Sequence, residues 1–144
     1  MATADRADPY SAFNFQVEID GITVAGFSEC SGLTTETDHI EYRTGAEDIT
    51  VRKLPGLRKY PNIVLKRGYT TATELWEWRK KVINGQTQRC SGSITLLDES
   101  RKKALQWTFT AGWPCKWEGP TFNAKNNEVA IETLEICHEG LVLA

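Results

Sequence analysis

From Phe13 to Asp20 the chain alternates without a fault. Phe13, Phe15, Val17 and Ile19 share one parity, and Asn14, Gln16, Glu18 and Asp20 the other. Strand side chains point to opposite faces in turn, so this spacing predicts a strand with one buried face and one wet face. Leu105, Trp107, Phe109 and Ala111 repeat the pattern against Gln106, Thr108 and Thr110. Half-buried strands must lay their apolar faces against one another, in a sandwich or a barrel.

The rest of the chain fits that frame. Asp20-Gly21 is a hairpin signal that would return the chain through Ile22 to Ser28, with Gly26 as a break or bulge. Leu33 to Arg43 is a polar strand: Thr35, Thr37, His39, Glu41 and Arg43 form a fully polar face. Ile63 and Leu65 then oppose Asn62, Val64 and Lys66. Cys90 to Leu97 and Ala104 to Gly112 read as a hairpin around residues 98–102. Trp113 to Phe122, interrupted by Pro114 and Pro120, reads as a shorter, irregular strand. Asn126-Asn127 turns the chain into Glu128 to His138. There the apolar parity slips from Val129 and Ile131 to Leu134 and Ile136, which predicts a bulge near Glu132-Thr133.

One helix is expected, over about residues 72–84. Thr71-Ala72-Thr73-Glu74 has the capping-box spacing. Leu75, Trp78 and Val82 recur at helical intervals, Arg79, Lys80 and Lys81 suit the C-terminal dipole, and Asn84-Gly85 stops the helix. Trp76 falls off the stripe, either covering a strand or making an exposed contact. The predicted architecture is mainly β: an antiparallel sandwich or barrel of about seven or eight strands, with one flanking helix.

The 144 residues suit one domain spanning the chain. A net charge of −2 gives no whole-molecule reason to bind nucleic acid. The N-terminus has no signal-peptide core and no apolar run spans a bilayer, so synthesis in the cytosol without a membrane anchor is expected. Cys30, Cys90, Cys115 and Cys137 form no Cys-x-x-Cys pair and keep no metal-ligand spacing with His39 or His138, so no metal and no cofactor is expected. No nucleophile elbow, Walker loop, zincin or dinucleotide fingerprint occurs. Glu36, Asp38 and Glu41 read as a solvated strand face. Cys137 and His138 point to opposite faces of a strand, a poor thiolate–imidazole pair. An enzyme is therefore not expected.

Between the polar strand and Asn62 lies a long excursion, about residues 44–61. Loops beyond about 12–15 residues are uncommon in compact domains and are usually functional or disordered. Ile49, Val51, Leu54 and Leu57 argue against a purely solvated linker. Pro55 and Pro61 lower the entropy cost of ordering it. Arg43, Arg52, Lys53, Arg58 and Lys59 outnumber Glu47 and Asp48, leaving the segment basic. The reading is an arm that docks on another subunit, formed by Arg43, Glu47, Asp48 and Arg52-Lys53-Leu54-Pro55-Gly56-Leu57-Arg58-Lys59. Its charges would steer it to an acidic protein surface.

Several segments stand together in a familiar order. They are Asp8-Pro9-Tyr10, Phe13-x-Phe15-x-Val17-x-Ile19, Gly26-Phe27-Ser28-Glu29-Cys30-Ser31-Gly32-Leu33, and Ile40-Glu41-Tyr42-Arg43-x-Gly45. Lys53-Leu54-Pro55-Gly56, Asn62-Ile63-Val64-Leu65-Lys66-Arg67-Gly68, Leu75-x-x-Trp78 and Asn127-Glu128-Val129-Ala130-Ile131-Glu132 follow. Collinear over nearly the whole chain, the set resembles the inner tube proteins of contractile injection systems, in contractile phage tails and phage-tail-like particles. The resemblance implies hexameric rings stacked into a rigid hollow tube. It implies a sheath around the tube, baseplate or spike and cap proteins at its ends, and DNA or protein effectors in its lumen. It places the arm on the adjacent ring. A wide barrel has a wet interior, which makes Thr35, Thr37, His39, Glu41, Gln106, Thr108 and Thr110 lumen-facing candidates. Two other readings remain: a baseplate tube-adaptor ring of the same apparatus, and a monomeric binding module stacking a carbohydrate or peptide on Trp76, Trp113 and Trp117.

Overall fold

A single strand serves two sheet halves. The computed structural model describes residues 9–11, 14–20, 26–43, 45, 51–69, 71–125 and 129–143. In it β7 (Lys103–Glu118) runs for 16 residues. Its first part pairs with β6 (Cys90–Leu97) on one side and β9 (Gly140–Leu143) on the other, and its second part pairs with β8 (Ile131–Cys137). β1 (Phe15–Ile19) lies beyond β6, and β5 (Ile63–Gly68) and then β2 (Phe27–Ser31) lie beyond β8. Every one of these pairs is antiparallel.

The change of partners falls at Ala111, whose φ is 53°, with Gly112 next. A left-handed conformation costs a residue with a Cβ about 1–2 kcal/mol. Here it bends the strand so that its two halves face each other across one core. Val17, Ile19, Ile94 and Phe109 come from one half, and Ile63, Leu65, Leu134 and Ile136 from the other. Phe109 is fully buried because two glycines make room for its ring. A Cβ on Gly92 or on Gly112 would lie 2.5 Å from a Phe109 ring carbon.

The sandwich is open, not a closed barrel. β1 and β9 end one half and β2 ends the other. β1 and β2 are not hairpin partners, as the Asp20-Gly21 signal suggested: β1 pairs with β6 and β2 with β5. Gly21 itself lies outside the described residues. Trp113 to Glu118 is not a separate strand but the second part of β7.

The parity slip near Glu132 has another cause than a bulge. β5 and β8 keep an unbroken register from Ile63↔Ile136 to Gly68↔Ile131. Glu132 simply occupies a core-facing position, 2% exposed, and its carboxylate accepts from Arg67 Nε at 2.7 Å. The irregularity lies on β7, between Pro114 and Lys116. There proline has no N–H to give the ladder. Val129 and Ile131, the residues that set the wrong phase, are exposed.

α1 (Glu74–Ile83) seals one side of the core with Leu75 and Trp78, and Trp78 Nε1 donates to the Gln88 carbonyl at 3.0 Å. The capping box does not form. Thr73, not Thr71, is the N-cap, and no side chain caps the helix. Glu74 instead accepts from Arg67 Nη1, an ion pair that outcompetes a neutral cap. Trp76 packs its ring 4.9 Å from that of Trp117.

Candidate functional site

Two strands stand apart from the sandwich. β3 (Glu36–Tyr42) and β4 (Arg52–Lys59) form a separate two-stranded sheet. The C-terminal part of the expected loop is thus a strand, and the arm is a hairpin whose first strand is the polar segment before it. Pro55 and Gly56 masked this in the sequence, since both break strands. On a lone ribbon, Pro55 has no third strand awaiting its N–H. Gly56 sits where a Cβ would come 3.0 Å from the Asp38 carbonyl and 3.3 Å from Ile40 Cγ1. The register shifts between Thr37 and His39.

The ribbon has two unlike faces. Ile40 opposes Leu54 and Tyr42 opposes Arg52, on one face. Thr37 opposes Arg58, His39 opposes Pro55 and Glu41 opposes Lys53, on the other. Ile40 is 55% exposed, Tyr42 49%, Leu54 47% and Leu57 77%. Lys59 meets Asp38 at 3.1 Å in an exposed pair of little energetic weight. A two-stranded hairpin is at best marginally stable alone in water. This one holds its apolar face open. Arg43 lies at the end of β3, and Glu47 and Asp48 lie outside the described residues.

The seven lumen candidates fall on two surfaces. Gln106, Thr108 and Thr110 line the outer face of the sandwich half formed by β1, β6, β7 and β9. There they neighbour Thr95, Ser93, Gln16 and Glu18 through the register of β6 with β1 and β7. Gln106 accepts from Lys103 Nζ at 2.8 Å and donates to Thr95 Oγ1 at 3.3 Å. Thr35, Thr37, His39 and Glu41 instead belong to the arm or its foot.

The foot of the arm is clamped. His138 is buried, with Nε2 3.1 Å from the Pro61 carbonyl and Nδ1 3.0 Å from the Gly140 carbonyl. It ties the return of the arm to the start of β9. Its neighbour Cys137 turns the other way and donates to Asn62 Oδ1 at 3.2 Å. Burial, reinforced by a hydrogen bond with Cys137, pushes the Cys115 thiol up to about 12. The Cys115 thiol is therefore not a nucleophile at neutral pH.

The sequence reading missed β9. Leu141-Val142-Leu143 after Gly140 is a short apolar run of the kind that marks a strand, and Val142 and Leu143 remain exposed on it. Among the described residues, β1 and β9 are the unpaired edges of this polar-faced half. An open sheet edge recruits another strand unless it is covered. No described helix is long and apolar enough to cross a membrane.

A sheet with two open edges, one polar face and a projecting apolar ribbon defines a building block for a larger assembly. The chain belongs to the T4-like virus tail tube protein gp19 family, whose model matches residues 11–142. It is similar to a chain of the sheath–tube complex of PVC, an extracellular contractile injection system, in the extended state. That match has 25% identity over 94% of this chain and 91% of the other, with a TM-score of 0.85. A chain from the tube-terminating cap of the anti-feeding prophage matches at 25% identity over 99% and 95%, TM-score 0.88. Hcp1 from Flavobacterium johnsoniae shares the fold, with 17% identity over 92% and 95% and a TM-score of 0.57. A search of curated proteins found no match.

Proposed function

We propose that this tail tube protein is the repeating subunit of the inner tube of a contractile injection apparatus. The whole chain acts as one tail-tube domain. Six copies close head to tail into a ring, and rings stack into a hollow conduit. The observation that carries this reading is the half formed by β1, β6, β7 and β9, with an unpaired edge at each end among the described residues. When β9 of one copy meets β1 of the next, a rotation that closes makes a ring and removes every open edge of that half.

Gln106, Thr108 and Thr110 then face the lumen, and core residues such as Phe109 back them. Thr35, Thr37, His39 and Glu41 extend the polar lining where the arm overlaps the next ring. The arm, about residues 44–61 with β3 beside it, clasps that ring through Leu54 and Leu57, with its cations orienting the contact. The relatives from a sheath–tube complex and a tube cap support a sheath around this tube and a cap at its end. Protein effectors or DNA pass through the lumen, and nothing in the chain is required to catalyse a reaction.

Electron microscopy of native particles tests the proposal. Stacked rings with six-fold symmetry built of this chain are expected, and a persistent monomer in the particle would overturn it. A second reading, a one-ring adaptor at the baseplate, is favoured by the similarity of the fold to a chain in the anti-feeding prophage baseplate. Copy number separates the two: one ring of six for the adaptor, many rings for the tube.

A further inference from the structure

An apolar cleft opens between the two sheet halves. It measures about 410 Å³. Phe15, Leu96 and Trp107 wall it from one half, Cys30 and Leu33 from the other, and Glu29 stands on its rim. The void left by truncating one leucine is on the order of 150 Å³, so the cleft has room for about two aliphatic side chains.

The chain carries a ridge of that size. Ile40 and Leu54 are cross-strand partners on the apolar face of the arm, and both are exposed. The ridge does not line the cleft of its own chain among the described residues. Leu33 belongs to the cleft wall and also stands at the foot of the arm. Ile40 lies further along, within β3, and Leu54 is held beside it.

We infer that the cleft is the seat of the arm of a second copy, with Ile40 and Leu54 entering between Leu33, Leu96 and Trp107. The inference rests on the tube reading and adds to it the surface that receives the arm. Charge placement agrees. Arg52 is on the same face as Leu54, two residues away, and on the rim Glu29 meets Lys66 at 3.9 Å among the described residues. Opposite charges at the margin of an apolar contact orient docking.

Cys30 makes the test direct. Leu54→Cys puts a thiol on the ridge, and a short bis-maleimide joins two thiols by adding each across one maleimide double bond. Assembled particles carrying L54C should give a ladder of linked chains on a denaturing gel. Mass mapping should place the link at Cys30, and L54C/C30S should lose the ladder. Wild-type particles give a second readout that needs no substitution. Cys30 should react with N-ethylmaleimide at least tenfold more slowly in tubes than in dissociated subunits. A link to Cys90, Cys115 or Cys137, or equal reactivity of Cys30 in tubes and subunits, would overturn the seat while leaving the tube intact. A chain that forms neither rings nor tubes would overturn the tube reading and the seat with it.

Discussion

Nε of Arg67 on β5 lies 2.7 Å from Oε1 of Glu132 on β8, inside the core, with both side chains almost wholly buried. The same guanidinium reaches Glu74 at the start of α1 and the carbonyl of Ala72 at 3.2 Å. One cation thus joins two strands and a helix. Removing one partner of a buried pair costs about 3–5 kcal/mol, because the other charge is left uncompensated. Arg67→Met strands the buried Glu132 carboxylate and should lower the thermal midpoint by roughly 10 °C or more, while Glu132→Gln, which leaves Arg67 its Glu74 partner, should lower it less. The pair Arg67→Met with Glu132→Leu should recover most of the loss. Calorimetry of the four proteins checks this.

The same cluster sets an acid limit. Burial alone would raise the Glu74 carboxyl, but the hydrogen bond and charge of Arg67 outweigh it and hold it below the usual carboxylate range. A group with a lowered folded value gives stability that is complete above its unfolded value, about 4.3, and lost as pH falls through the folded one. Stability should therefore fall below about pH 4.3, and Glu74→Gln should flatten that part of the profile. Denaturant melts from pH 6 to pH 3 measure both slopes.

His138 sits between the carbonyls of Pro61, 3.1 Å from Nε2, and Gly140, 3.0 Å from Nδ1, and its tautomer decides which of them accepts the ring N–H. His138→Ala removes that donor. A buried polar group left unsatisfied costs about 1–3 kcal/mol. Beyond that loss, the foot of the arm should loosen. Hydrogen exchange at Tyr60 and Asn62 should quicken relative to Leu65, which lies deeper in β5.

Gly112→Ala would drive a Cβ into the Phe109 ring at 2.5 Å and toward Ile136 Cγ2 at 3.1 Å. Overpacking of this kind typically costs about 1–3 kcal/mol. Every obstacle is a side chain, so Phe109→Leu should relieve part of it. A double-mutant cycle should give a coupling of about 0.5–3 kcal/mol in the favourable direction.

Deleting Leu54 to Leu57 removes the exposed Leu54 and Leu57 and leaves the sandwich core untouched. The midpoint of unfolding should change little, while tube assembly should be lost. Circular dichroism and sedimentation velocity read the two outcomes separately. A deletion variant that still builds full-length tubes would exclude the arm from stacking.

Strict alternation made β1 and the first part of β7 legible, because one face of each is buried by a neighbour. The stripe Leu75 and Trp78 did the same for α1. Elsewhere a tertiary partner overrode the local signal. Glu132 broke the parity of β8 because its charge is met by Arg67 from another strand, which no local window contains. Glu74 abandoned a capping role for the same cation. Pro55 and Gly56 hid β4, whose order comes from cross-strand pairing with β3. At the candidate site, the charged and apolar arm residues stood out as one segment. That Thr37 and Thr108 lie on different sheets depended on long-range pairing and could not be read from polarity alone.

β7 also has a mechanical meaning. In the proposed tube each subunit would be pushed along the axis and twisted about it. Because the two sheet halves share one covalent backbone through Ala111 and Gly112, torque on either half passes into the other along the main chain. The halves cannot slide past each other without straining that bend, so a stacked copy would bear the thrust as a single beam.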